Sequence, residues 1–274
     1  MEYGGSQKEL DWLLDMSANL KWEHLQKVYL DPNKSCFISH PLHLVSCIWK
    51  TYLSTKEPLQ YLVGRCPWRD FELEINSSAL IPRQETERIV DLALDKFDSN
   101  FDGIWADLGT GSGALAISLA RNFPKANGHA VDCCKDVLDL AERNLKHLAP
   151  NSFVELHLGD WWEPINPWWG ELNLVVANPP YIPSRLISKL EKKVKNFEPH
   201  LALSGGLDGL FSLRKIIEYS IKGLSKNGWL IVEHHYDQSE TVCNLMSSVG
   251  LKDVDFSLDF ENVRRFSIGR RPID

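Results

Sequence analysis

Residues 103 to 122, GIWADLGTGSGALAISLARN, decide the fold. The apolar run through Trp105 and Ala106 has the length of a buried strand, and ALAISLARN has the spacing of a helix. Between them, Gly109, Gly111 and Gly113 allow positive φ and let a flat ligand lie against the backbone without meeting a Cβ. Such a strand, glycine turn and helix can form a dinucleotide site, although GxGxG differs from GxGxxG and no lysine makes it a P-loop. Taken alone, the turn is equally compatible with tight packing.

Working outward, the same alternation continues. Short apolar runs in GHAVDC, FVELHLGD, LNLVVANPP and GWLIVEHH are separated by helical segments such as CKDVLDLAERNLKHL. Strands interleaved with helices imply a mainly parallel sheet covered on both faces, with ligands bound beyond the C-terminal strand ends. Upstream, Leu10, Leu13, Leu14 and Leu20 fit one helical stripe, and Leu42, Val45, Ile48, Trp49 and Tyr52 fit another. From Phe71 the period becomes two, with Phe71, Leu73 and Ile75 alternating with Glu72, Glu74 and Asn76. These changes divide the chain into an N-terminal helical domain (1–66), a hairpin linker (67–82) and an α/β domain (83–274).

At 274 residues, 43% hydrophobic and 24% charged, the chain can bury a sizeable core. The N-terminal segment has no basic region leading into an apolar one, and no stretch approaches the length of a membrane span, so the expected setting is cytoplasmic without membrane association, an organelle staying open. The six cysteines show no CxxC spacing and are read as reduced thiols, with no metal expected. A net charge of −7 disfavours a polyanionic substrate, and no direct nucleic-acid partner is expected.

The strand after the glycine turn ends at Asp132, where an acid can accept both hydroxyls of a ribose, which implies an adenosine-bearing ligand. The bland alternative is that Asp132 caps the helix beginning near Asp136. The next strand ends in Gly159-Asp160-Trp161. Asp160 can accept from an adenine amino group, and Trp161 can provide a flat apolar wall. Asp107 and Thr110 lie within the glycine segment and share the candidate cofactor site.

Then comes Asn178-Pro179-Pro180-Tyr181. Two prolines fix φ and restrict the preceding residue, so the four form a stiff extended loop. The Asn178 side-chain oxygen and the Pro179 carbonyl can accept the two hydrogens of one substrate NH2, while Tyr181 offers a face for a planar amide or base. Two acceptors on one NH2 favour the pyramidal nitrogen whose lone pair can be alkylated.

The order DLGTGSG, a strand ending in Asp, GD and NPPY resembles the Rossmann-like S-adenosylmethionine-dependent methyltransferases that act on exocyclic or amide nitrogens. The flanks sharpen the resemblance. PLQYLVG (58–64), LIPRQETE (80–87), FEPHLAL (197–203) and GGLDGL (205–210) resemble the HemK/PrmC family, the peptide chain release factor N5-glutamine methyltransferases. It covers roughly residues 57 to 270. It implies a seven-stranded, mostly parallel sheet, S-adenosyl-L-methionine as cofactor, and methylation of the glutamine amide in the GGQ motif of class 1 release factors. Asn178, Pro179 and Tyr181 then carry the catalysis, with Pro180 completing the substrate loop; Asp107, Gly109, Thr110, Gly111, Gly113, Asp132, Asp160, Trp161 and Asn178 hold the cofactor. The resemblance also places IPRQETE over the cofactor pocket, bringing Arg83 or Thr86 near the donor.

Two departures from the family pattern stand out. His235 occupies a position where the family usually has glycine, and the late turn Asp259 to Arg265 lacks its glycine, although Arg265 matches the family arginine. His234 and His235 are adjacent on a strand and point to opposite faces, so they do not form a shared ligand set. The Trp-rich segment GDWWEPINPWWGE is either a partner surface or the pocket edge. The competing functions are a nucleic-acid N-methyltransferase acting on adenine N6 or guanine N2 through the same NPPY, and an inert scaffold that binds without catalysis.

Overall fold

The computed structural model describes residues 5–31, 33, 35–39 and 41–274. Four helices open the chain: α1 (Gln7–Ala18), α2 (Trp22–Leu30), α3 (Leu42–Thr55) and α4 (Leu59–Val63). Ser6 and Glu9 form a reciprocal capping box at the start of α1, satisfying two backbone donors that have no partner within the helix. Asn19 ends α1 in the left-handed conformation (φ 53°), so Leu20 lies beyond the helix and is not part of its stripe. In α3 only Val45 and Tyr52 are buried, while Leu42 at its first position is exposed. The described part of this region packs around Leu13, Ala18, Val45, Tyr52 and Leu59.

A short antiparallel hairpin follows, β1 (Arg65–Trp68) and β2 (Phe71–Glu74), in which Phe71 and Leu73 turn inward and Glu72 and Glu74 outward. The remaining elements are α5 (Glu87–Leu94), β3 (Ile104–Leu108), α6 (Ala114–Asn122), β4 (Asn127–Asp132), α7 (Lys135–Leu148), β5 (Phe153–Leu158) and β6 (Leu172–Ala177). They continue with α8 (Ser184–Ile187), α9 (Lys192–Phe197), α10 (Phe211–Gly223), β7 (Leu224–Glu233), α11 (Ser239–Ser248), β8 (Lys252–Leu258) and β9 (Arg264–Arg270).

Among the described residues, seven of these strands form one sheet in the order β5-β4-β3-β6-β7-β9-β8. The first five run parallel, and the terminal hairpin adds β9 and β8 antiparallel. This is the expected Rossmann-like α/β sheet. Both faces are covered, which explains the continuous apolar runs in its central strands. Trp105, Leu174, Val176 and Ile231 pack with α5 and α6 through Ile89 and Ile117, while Ala106, Val175 and Leu230 pack on the other face with Leu213 and Ile216 of α10. The chain proceeds from β3 to β4 and β5 in one direction and returns through β6 and β7 in the other. The C-terminal ends of neighbouring β3 and β6 are thus the switch point at which an open α/β sheet makes a crevice.

Candidate active site

Two loops meet at that switch point, one after β3 and one after β6. The first is built chiefly from backbone. Gly109, Gly111 and Gly113 all have positive φ, at 82°, 57° and 89°. The N–H groups of Gly109 and Thr110 both donate to the Val131 carbonyl of β4, tying the turn to the neighbouring strand at 2.9 Å. A Cβ added at Gly111 would meet nothing within 4 Å, so the loop faces open space there. Beneath it Asp107 is fully buried, accepting from the Thr110 hydroxyl at 2.7 Å, while its Oδ1 has no partner. Burial pushes its carboxyl up to about 7, against which the Thr110 hydrogen bond works only partly.

Asp132 stands at the end of β4 beside this loop. Its Oδ2 accepts from Gly111 N–H at 3.1 Å and its Oδ1 from Cys134 N–H at 3.0 Å. Helix α7 has no side-chain cap, so Asp132 stiffens the turn before the helix and does not cap it. Each carboxylate oxygen keeps a further lone pair for a hydroxyl donor. The Trp161 ring lies against Gly109, where an added Cβ would come within 3.0 Å of it. A flat side chain thus borders the glycine loop. Asp160 is paired with Lys215 of α10 at 2.5 Å, a partner that motif reading did not identify.

The loop after β6 is built from side chains drawn across the molecule. Asn178 donates through Nδ2 to the Thr86 hydroxyl at 2.9 Å, and Thr86 donates to Glu233 Oε2 at 2.7 Å. The Tyr181 hydroxyl donates to the other oxygen of Glu233 at 3.0 Å. With Nδ2 engaged, the Asn178 side chain has its carbonyl oxygen left to accept from a ligand. Glu233 is 1% exposed, and burial pushes its carboxyl up to about 7 despite donors from Thr86 and Tyr181. Burial, with Glu233 beside it, likewise raises the Tyr181 phenol, which stays protonated as a donor.

The chain leaving Tyr181 is braced on its outer side. Gln238 Nε2 donates to the Tyr181 carbonyl at 3.1 Å and Gln238 Oε1 accepts from His235 N–H at 2.9 Å. Ile182 exchanges backbone hydrogen bonds with Leu203 and Gly205. Gly209, at φ 81°, approaches so closely that a Cβ there would lie 2.3 Å from the Tyr181 carbonyl oxygen. No other residue fits, which gives the GGLDGL segment its place beside NPPY.

Arg83 donates through the one nitrogen Nη2 to both oxygens of Glu198, at 2.7 and 2.8 Å, joining IPRQETE to FEPHLAL. Thr86 points to Asn178 and Glu233. Within the stretch from Arg83 to Thr86, Thr86 therefore supports the NPPY loop directly, while Arg83 ties the stretch to Glu198. Glu233, Glu198, Gln238 and Lys215 were not identified as site residues from sequence, although Glu198 falls in FEPHLAL, a motif that carries the family resemblance.

The two late departures are accommodated locally. His235 does not adopt positive φ, and Asn262 takes the left-handed conformation (φ 62°) in the turn that lacks glycine. Asp259 accepts from Glu261 N–H, Val263 N–H and Arg265 Nε, closing that turn. His234 contacts Ser267 and His235 contacts Asp237, so the adjacent histidines have separate partners. The Trp-rich segment folds inward: Trp162 is buried and donates to the Ile216 carbonyl, Trp169 packs on Trp162 and Tyr219, and Trp168 lies over His129 and His157. It is mostly packing and does not form an open surface. His129, His157 and Glu155 bring ligand-type atoms within 4.8 Å of one another on β4 and β5, a juxtaposition that linear spacing did not reveal; a hydrogen bond of 3.0 Å between the two rings accounts for the pair.

Residues 83–197 match the family model described as methyltransferase small domain. The chain is 55% identical to a release factor glutamine methyltransferase of Prochlorococcus marinus, over 98% of this chain and 92% of that protein. It is 39% identical to one from Thermosynechococcus vestitus, over 82% and 78% of the two chains. Among solved structures, a methyltransferase from Pyrococcus furiosus shares the fold with a TM-score of 0.54 at 18% identity, covering 73% of this chain and 89% of that one.

Proposed function

The chain belongs to the HemK/PrmC family of release factor glutamine methyltransferases, and on that premise we propose that it transfers a methyl group from S-adenosyl-L-methionine to the side-chain nitrogen of the glutamine in the GGQ motif of class 1 release factors. The observation that carries the reading is the orientation of Asn178. Its NH2 is held by Thr86, so its carbonyl oxygen is presented at the switch point as an acceptor for a substrate NH2.

The cofactor side fits an adenosine-bearing ligand. The Gly111 face is open, Asp132 retains lone pairs for ribose hydroxyls, Trp161 borders the loop, and Asp107 Oδ1 is a buried acceptor without a partner. Gly109, Thr110 and Gly113 would shape that cradle, and Asp160, paired with Lys215, would accept from the adenine amino group. When bound, S-adenosyl-L-methionine supplies an electrophilic methyl carried on a sulfonium sulfur, which the amide nitrogen displaces.

A glutamine amide is a weak nucleophile because its lone pair is delocalised. Asn178 Oδ1 and the Pro179 carbonyl hold its two hydrogens and favour a pyramidal nitrogen, Tyr181 carries its plane, and Pro180 keeps the loop stiff. The proton released after transfer passes to water. We assign partner recognition to the helical region of residues 1–66, with 67–82 as linker and 83–274 as the chemical unit. Lys193 of α9, just beyond NPPYIP, bonds Glu9 and Tyr52 of that region at 2.5 and 2.7 Å, an attachment through which docking can register the substrate. Among the described residues no helix is long and apolar enough to cross a membrane.

Incubation with donor and release factor, followed by intact-mass and peptide analysis, tests the reading. One added methyl on the GGQ glutamine, absent from a GGA variant, is expected. Equal labelling of the GGA variant, or transfer to nucleic acid and not to protein, overturns it.

A further inference from the structure

We propose that Glu233 sets the polarity of the hydrogen-bond chain that aims the Asn178 carbonyl at the substrate amide, and so acts as a positioning residue for methyl transfer. The proposal rests on the reading of Asn178 as the amide acceptor. Proton counting carries it. The Thr86 hydroxyl has one hydrogen, given to Glu233 Oε2 at 2.7 Å, so toward Asn178 at 2.9 Å it can only accept. Only the NH2 of Asn178 can complete that contact. Its oxygen must then face the crevice. The Tyr181 hydroxyl uses its single hydrogen on Glu233 Oε1 at 3.0 Å, so the carboxylate receives a donor on each oxygen and fixes both residues of the substrate loop.

Reversal follows from adding one proton. With Tyr181 still donating to one oxygen, a neutral Glu233 presents its own O–H to Thr86. The Thr86 hydrogen then turns to Asn178, whose oxygen must rotate inward to accept it. An NH2 group now confronts the substrate NH2, and neither can accept. The groups facing Glu233 bias this balance. Arg265 from β9 favours the ionised form, Glu85 before α5 opposes it, Tyr181 and Thr86 donate to it, and burial raises the carboxyl to about 7. His234, next along the chain, is engaged with Ser267 and the His235 carbonyl.

The pH profile of glutamine methylation distinguishes this role from simple packing. Wild-type kcat/KM is expected to rise with pH through an acid limb near 7. At a pH about 1.5 units above that limb, Glu233→Gln should lower kcat about 100-fold, with donor affinity and the KM for release factor changed less than about threefold. The acid limb should vanish in Glu233→Gln. Thr86→Val, which cannot relay the polarity, should lose activity comparably, and Thr86→Ser should restore it to within about threefold of wild type. Should Glu233→Gln fail to fold by thermal melting, the Thr86 pair gives the same reading. Retention of kcat in Thr86→Val, or an unchanged acid limb in Glu233→Gln, overturns the polarity role alone. Wild-type protein that leaves the GGQ glutamine unmodified at every pH overturns the functional reading and this proposal with it.

Discussion

The two loops at the switch point sit on adjacent strands yet are constructed in opposite ways. The loop after β3 holds its shape with its own glycines and with β4, through bonds from Gly109 and Thr110 to Val131 and from Gly111 to Asp132. The loop after β6 depends on the side chain of Thr86, 92 residues before Asn178, and on Glu233, 147 residues after Thr86 and 52 after Tyr181. A cofactor cradle can be made from backbone because the ligand is constant and flat. Aiming one carbonyl at one NH2 needs a defined side-chain polarity, and that requires buried partners from several elements. The comparison predicts that substitutions on the substrate side impair catalysis while sparing donor binding, and that the cofactor side behaves conversely.

Removing the acceptor should have the largest effect. Asn178→Ala is expected to reduce kcat for glutamine methylation by roughly 100- to 1000-fold, the range seen when one preorganised polar group at a reacting centre is deleted. Single-turnover kinetics with peptide mass analysis measures it. Activity within a few-fold of wild type would remove Asn178 from the mechanism. Second in size is the brace beneath the loop. Arg83→Ala leaves Glu198, whose side chain is 2% exposed, without its partner, and should cost about 3 kcal/mol of unfolding free energy in denaturant titration. Arg83→Lys, which keeps the charge but exchanges the planar guanidinium for a shorter-reaching ammonium, should recover only part of that cost.

The pH dependence of stability sharpens the contrast further. Burial raises Asp107, on the cofactor side, and Glu233, on the substrate side, each to about 7. A carboxyl with a raised folded pKa binds its proton more tightly in the native state. Its stabilising contribution is complete below its unfolded pKa near 4 and is lost as pH climbs to about 7. Each group therefore tilts stability downward by at most about 1.4 kcal/mol per pH unit across that window. Glu233→Gln and Asp107→Asn should each flatten the slope by one proton. Only Glu233→Gln should also erase the acid limb of activity, because stability falls over the same range in which its ionisation turns activity on.

On the cofactor side, Gly111→Ala should cost about 1 kcal/mol of stability, the strain of placing a Cβ at left-handed φ, because no atom lies within 4 Å of it. Calorimetry should nonetheless show donor affinity reduced more than tenfold, about 1.4 kcal/mol, because the methyl enters the space reserved for ligand. Unchanged donor affinity would separate the glycine loop from the cofactor.

How far each side was legible follows from the same difference. Gly109, Gly111, Gly113 and Asp132 lie within 24 residues and form a pattern readable as a local string. Strands β3 and β6 and the second half of β7 were readable because both faces are buried and their apolar runs are continuous, whereas β5 is an edge strand with Phe153 and Leu158 exposed. NPPY revealed a stiff loop with acceptors. It did not reveal which way Asn178 points, since that depends on the protonation of Glu233, a residue visible in sequence only as the end of an apolar run. Thr86 and Arg83 were singled out within IPRQETE, yet their partners lie in NPPY and FEPHLAL, and no period or spacing connects those segments. Leu20 misled for a different reason: its spacing continues the α1 stripe, but Asn19 ends the helix one residue earlier.

The outer limit of the substrate-side scaffold is the turn between β8 and β9, where the expected glycine is absent. Asn262 adopts φ 62°, one of the few conformations in which asparagine substitutes for glycine at small cost. Asn262→Gly exchanges a slight relief of strain for a more flexible unfolded chain, and the two changes nearly offset. Stability should move by less than about 0.5 kcal/mol, with kcat unchanged. Asn262→Val places a β-branched side chain at left-handed φ and should cost about 2 kcal/mol. Arg265 hangs from this turn through Asp259 at 2.7 Å and favours the ionised form of Glu233. If Asn262→Val also shifts the acid limb of activity upward while Asn262→Gly leaves it in place, the turn belongs to the polarity scaffold; a limb that stays fixed in both variants would end that scaffold at Glu233.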